Sequence, residues 1–122
     1  LKQELAEALK VGRFTPPDMA ELTAKAGQRA AVVPDLLAIL VAEEKAVEVG
    51  PGLFLDFDVE ADLRSLVRER LANGATMTMA DLRDLLKTTR KYAVPVGEYL
   101  DRVGLTTREG DTRRLAPSGA AE

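Results

Sequence analysis

The chain has 122 residues, 46% hydrophobic and 30% charged, with a formal net charge of -3, a globular balance that makes it no general binder of polyanions. Cysteine and histidine are both absent, which excludes a disulfide framework, a thiolate metal site and histidine-based acid–base catalysis. Aromatics make up only 4%, so the core must be aliphatic; no apolar run is long enough to cross a bilayer and no signal peptide is visible, so we expect no membrane partner. The first residue is Leu1 rather than Met, and we read the chain as a piece of a longer cytoplasmic protein.

Leu5, Ala8 and Leu9 space out a short amphipathic helix ending near Gly12, followed by Phe14 as a brief extended anchor. Thr15-Pro16-Pro17-Asp18 reads as a helix start, with Thr15 as cap and Pro16 in the first helical position. Met19, Leu22 and Ala26 line that helix, which stops at Gly27. A third helix, with Pro34 in its first turn, presents Val33, Leu36, Leu37, Leu40 and Val41 on one face. Ala46–Val49 and Leu53–Phe57 are two strands around Gly50-Pro51-Gly52. Helix, short strand, helix, helix, hairpin is the order of a winged helix.

The second half repeats it. Asp58 is placed to cap a helix with Leu63, Leu66, Val67 and Leu71 on its buried face, ending at Asn73-Gly74. Thr76–Thr78 is a short strand, and Thr78 with Asp81 opens a helix lined by Leu82, Leu85 and Leu86. Val96, Tyr99, Leu100 and Val103 give a third helix starting at Arg90 and Lys91. Leu105–Thr107 and Thr112–Leu115 flank Gly110-Asp111 as a hairpin. Thr15 with Thr78, and Pro34 with Pro95, recur at nearly the same separation, the mark of a tandem repeat. The expected fold is mainly α with small β-hairpin wings, an α+β chain of two tandem winged-helix modules. They span residues 1–57 and 58–115, with 116–122 as a frayed tail.

Charge divides the halves. Residues 1–57 carry six basic and nine acidic side chains; residues 64–115 carry eleven basic and seven acidic. If nucleic acid is bound, the second half binds it, while the first serves as spacer and packing partner. Arg90 and Lys91 at a helix start, where unpaired N–H groups already favour anions, converge with Arg108 and Arg113 on the hairpin, all four expected to be exposed. Arg83 beside Asp84 reads either as a member or as a surface ion pair, Arg102 beside Asp101 reads as a surface ion pair, and Lys87 and Arg114 complete the basic set. Tyr92 either stacks on an unpaired base or packs over the helix start. Thr107 and Thr112 can donate to phosphate or simply favour the strand. Glu43 and Glu44 adjoin without a histidine or cleft, and no Gly-rich phosphate loop occurs, so we expect no enzyme.

The run from Asp81 to Leu115 resembles the C-terminal end of the bacterial selenocysteine-specific elongation factors, the SelB family. The resemblance rests on Arg90-Lys91-Tyr92-Ala93, Pro95, Glu98-Tyr99-Leu100-Asp101, Gly104, Thr106, Arg108, Gly110-Asp111 and Arg113. Lys87 stands where the family often has Gly, which would alter a turn, and Gly97 where it often has Leu, which would thin the core. Residues 1–80 match in architecture only. The resemblance implies a monomeric module that binds the selenocysteine insertion hairpin (SECIS) of messenger RNA. RNA-binding residues would be Arg83, Arg90, Lys91, Tyr92, Arg108 and Arg113. It further implies GTP and Mg in upstream domains, no cofactor in this chain, and ribosome and selenocysteinyl-tRNA as partners of the longer protein.

Two other readings compete. A DNA-binding winged-helix regulator needs base-reading polar side chains along the exposed face of its recognition helix; after Lys91 this helix offers Val94, Val96, Gly97, Glu98 and Asp101. A protein-docking winged helix needs an exposed apolar patch, and no surplus is visible.

Overall fold

The computed structural model describes residues 1–117; the expected tail beyond Pro117 lies outside the described residues. The chain is a mostly helical α+β protein with small antiparallel sheets, and it divides into two compact units, Leu1–Glu60 and Ala61–Glu122. The division falls within the fourth helix, three residues beyond the boundary expected from sequence.

In the first unit α1 (Lys2–Gly12), α2 (Met19–Ala26) and α3 (Val33–Ala42) precede the hairpin β1 (Ala46–Gly50) and β2 (Leu53–Asp56), and a 3-10 segment at Gly27–Val32 joins α2 to α3. Leu5, Leu9, Leu22, Val33, Leu37, Leu40 and Phe54 form its core, an aliphatic cluster in which each fully buried Leu is worth about 1.5–3 kcal/mol. Val41, expected on the inner face, is exposed. The cap of α2 is Asp18, not Thr15. Its carboxylate accepts from the Glu21 N–H at 2.9 Å, and the Glu21 carboxylate accepts from the Asp18 N–H at 3.3 Å. Pro17 explains the shift, because a residue preceding proline is pushed out of the helical region and Pro16 cannot open the helix. No strand forms at Phe14, which is buried instead, so the sheet here is two-stranded. Its tip is fastened down: the Met19 N–H donates to the Gly52 carbonyl at 2.9 Å.

The fourth helix, α4 (Phe57–Arg70), is capped by Asp56 rather than Asp58. The Asp56 carboxylate accepts from the Asp58 and Val59 N–H groups at 3.0 and 3.2 Å. The second unit continues with a 3-10 turn at Ala72–Gly74, β3 (Met77–Thr78), α5 (Met79–Leu86), α6 (Arg90–Arg102), β4 (Thr106–Glu109) and β5 (Thr112–Leu115). Asn73 and Gly74 both take positive φ, as expected of a helix stop. The sheet has three strands in the order β3-β5-β4, with Met77 opposite Arg113 and Arg108 opposite Arg113. Leu63, Val67, Leu71, Leu82, Leu86, Val96, Leu100 and Leu105 are buried, while Val103, expected in the stripe, is 41% exposed. Pro34 is the second residue of α3 and Pro95 the sixth of α6, so the proline repeat does not mark equivalent positions. Ala116, assigned to the tail, is buried and its N–H donates to the Leu105 carbonyl at 3.0 Å.

Candidate nucleic-acid interface

Thr78 and Asp81 form the expected capping box of α5. The Thr78 hydroxyl accepts from the Asp81 N–H at 3.1 Å, and the Asp81 carboxylate accepts from the Thr78 N–H at 2.9 Å. That backbone donor is the main reason the Asp81 carboxyl lies below its ordinary value, with Arg70, 3.6 Å away, adding to the effect. A lowered folded-state value means that this contribution to stability is present above the ordinary carboxylate range and is lost as pH falls through the lowered value. Asp81→Asn, which cannot titrate, is therefore expected to melt below the natural chain at neutral pH. The gap should begin to narrow in melting curves taken below about pH 4 and vanish only below the lowered folded-state value; a gap independent of pH would show that the carboxylate charge does not hold the cap.

Helix α6 begins at Arg90 behind Thr89, whose side chain makes no capping bond, and its first turn holds no acidic residue. The positive end of the helix dipole is thus left uncompensated. Arg90, Val94 and Glu98 follow one another at intervals of four along one face, and this face borders a cleft of about 420 Å³. The start of α5 supplies Thr78, Met79 and Ala80 to it, and the β4–β5 wing supplies Arg108, Asp111 and Arg113. Arg90 and Arg108 are exposed, and among the described residues no carboxylate pairs with either. Arg108 is steadied at the wing tip, where its Nε donates to the Gly110 carbonyl at 2.9 Å.

Arg113 departs from expectation. Its side chain is 6% exposed and that of Asp101 28%. Arg113 Nε donates to both Asp101 oxygens, at 3.1 and 3.2 Å, and Nη2 donates to Oδ2 at 3.0 Å. The Thr106 hydroxyl completes the set by donating to Asp101 Oδ1 at 2.6 Å. The guanidinium is thus the floor of the cleft, tying α6 to the wing, rather than a free phosphate contact. Gly97 makes room for it, because a β-carbon there would stand 3.3 Å from Arg113 Cζ and 2.9 Å from Met79 Cε. The core is not thinned at Gly97; the arginine fills the space.

The other expected site residues lie outside the cleft lining. Arg83 is taken up by Asp84, with Nε and Nη2 both 3.3 Å from Oδ1. Lys91 is exposed, with its ammonium 5.3 Å from the centre of the Tyr92 ring. Tyr92 is only 8% exposed, which takes its ring out of reach of a stacking base. Arg102 lies over the Tyr99 ring at 5.7 Å, so the expected pair with Asp101 is replaced by that of Asp101 with Arg113. Arg114 pairs with Glu109 at 2.7 Å. Glu98, expected only as part of the helix face, and Asp111 also line the cleft; the two four-residue steps from Arg90 through Val94 to Glu98 are the sequence signal for the first.

Comparison with known proteins adds a family likeness. Residues 69–115 match the family model of the elongation factor SelB winged helix. Over 100 residues, 82% of this chain, the sequence is 30% identical to the selenocysteine-specific elongation factor of Desulfomicrobium baculatum, of which it spans 16%. The fold superposes on a crystal structure of bacterial selenocysteine-specific elongation factor EF-Sec with a TM-score of 0.74 and 27% identity, covering 93% of this chain and 18% of that one. It also superposes on the mRNA-binding domain of elongation factor SelB from E. coli, solved in complex with SECIS RNA. There the TM-score is 0.77 at 21% identity, covering 94% of this chain and 96% of that one. Residues 69–115 thus carry the SelB winged-helix pattern, and over most of its length the chain is similar to a short part of selenocysteine-specific elongation factors.

Proposed function

We propose that this chain is a messenger-RNA-binding module of two tandem winged helices, residues 1–57 and 58–115, and that the second binds a selenocysteine insertion hairpin. The observation that carries the reading is the pair Arg90 and Arg108, which flank an open cleft without carboxylate partners of their own among the described residues. The surplus of basic residues in 64–115 supports it. The hairpin stem offers phosphates to the two guanidiniums and to Lys91. A-form RNA hides its base edges, so sequence is read at unpaired bases, and the cleft between α6 and the wing has room for one. Nothing is catalysed: the module tethers the longer factor near a recoded codon. The ribosome, selenocysteinyl-tRNA and a cytoplasmic setting belong to that longer protein. GTP and Mg belong to its other domains, since no Gly-rich phosphate loop exists here to hold them.

The test is a titration of the chain with the intact hairpin, the same stem without its unpaired bases, a shortened stem and duplex DNA, each at several salt concentrations. With Arg113 held internally and Arg83 paired, about three phosphates are neutralised, which gives a log–log salt slope of about -2 to -3. Removing the unpaired bases is expected to cost more affinity than shortening the stem. Equal affinity for the first two RNAs would mean that only backbone shape is read, and preference for duplex DNA would favour a transcription regulator.

A further inference from the structure

Lys87 closes α5 with φ 53° and ψ 48°, in the left-handed region. A residue with a β-carbon is strained there and glycine is not. The turn itself has no need of a lysine. It is held by backbone bonds, from the Lys87 N–H to the Asp84 carbonyl at 3.2 Å and from the Thr88 N–H to the Arg83 carbonyl at 3.1 Å, and glycine would make the first equally well. The ammonium is exposed, and among the described residues no carboxylate pairs with it. A cation gains from the negative end of a helix dipole, but Arg83 already supplies one in the last turn of α5 without backbone strain.

What position 87 does have is its neighbourhood. It lies three residues ahead of Arg90, at the end of α6 whose dipole is uncompensated. Three trans peptide units hold the two Cα atoms within about 11 Å of each other. Strained residues persist where a function uses them. We propose that Lys87 is a further RNA contact: its ammonium neutralises a backbone phosphate adjacent to the one held by Arg90, so that the strand runs along the α5–α6 turn as well as past the cleft. The proposal rests on reading the cleft as an RNA interface. A lysine is a point charge on a flexible stem, so the contact adds affinity and no sequence preference.

Lys87→Gly, Lys87→Asn and Lys87→Arg in the whole chain test this, with hairpin titrations across salt concentrations and thermal melting. The glycine variant is expected to melt above the natural chain and yet bind the hairpin about three- to tenfold more weakly at low salt, with a salt slope shallower by about 0.7–0.9. Asparagine, which tolerates the left-handed region, should lose the same affinity, while arginine should keep both affinity and slope. Preference for the intact hairpin over the stem without unpaired bases should be unchanged in all three. Full affinity and an unchanged slope in the glycine variant would overturn the proposal, as would an arginine variant as weak as the glycine one. If the natural chain failed to bind the hairpin, the interface reading would fall, and this contact with it.

Discussion

Arg113→Ala is expected to lower the stability of the second unit by about 2–3 kcal/mol, because it leaves the Asp101 carboxylate without its main partner in a largely enclosed position. The loss falls below the roughly 3–5 kcal/mol usual for a fully buried pair, since Asp101 keeps 28% of its side-chain surface. In a domain of this size the loss corresponds to a fall in melting temperature of about 10–20 °C. RNA binding should weaken in step, because the wing loses its tie to α6. Asp101→Ala should do the same from the other side, and the double variant should be less damaging than the two single losses added together. Thermal melting of the three variants by circular dichroism checks this. An Arg113→Ala chain that melts like the natural one would mean that the ion pair contributes nothing and that Arg113 is available to RNA after all.

Arg90→Ala and Arg108→Ala should behave in the opposite way. Both side chains are exposed and neither has a carboxylate partner among the described residues, so melting should change by little. Hairpin affinity should fall by about 1–3 kcal/mol for each, roughly five- to 150-fold, if each guanidinium forks onto a phosphate or a base edge. Lysine at either position should recover only part of the loss, since an ammonium cannot make the two parallel bonds of a guanidinium. Variants that fold and bind the hairpin at full strength would leave the cleft without a role in RNA recognition.

The contrast between Arg113 and Arg108 shows what could be read from sequence. The helices were legible because their apolar residues recur at three and four, and the Thr78–Asp81 box because both of its bonds are local. The convergence of Arg90 and Arg108 followed from the winged-helix order. The inward turn of Arg113 did not, since it depends on β3 lying opposite it and on the missing β-carbon of Gly97, both distant in sequence. Neighbouring residues of a strand point to opposite faces, so a single register choice decides whether Arg113 or Arg114 turns inward. Tyr92 was ambiguous for a similar reason: a tyrosine at a helix start either stacks outward or packs inward, and only the fold decides. At Thr15 the deciding signal is local: Pro17 pushes Pro16 out of the helical region and moves the cap to Asp18.

The third strand of the second unit also has a consequence for the order in which the chain folds. A two-stranded hairpin is marginal by itself in water, and among the described residues β5 is completed on its other edge by Met77–Thr78. Between these partners lie both α5 and α6. The wing is therefore a late-closing piece, stable only once the intervening helices have brought Met77 round to Arg113. A peptide comprising β4 and β5 alone would sample the hairpin without holding it.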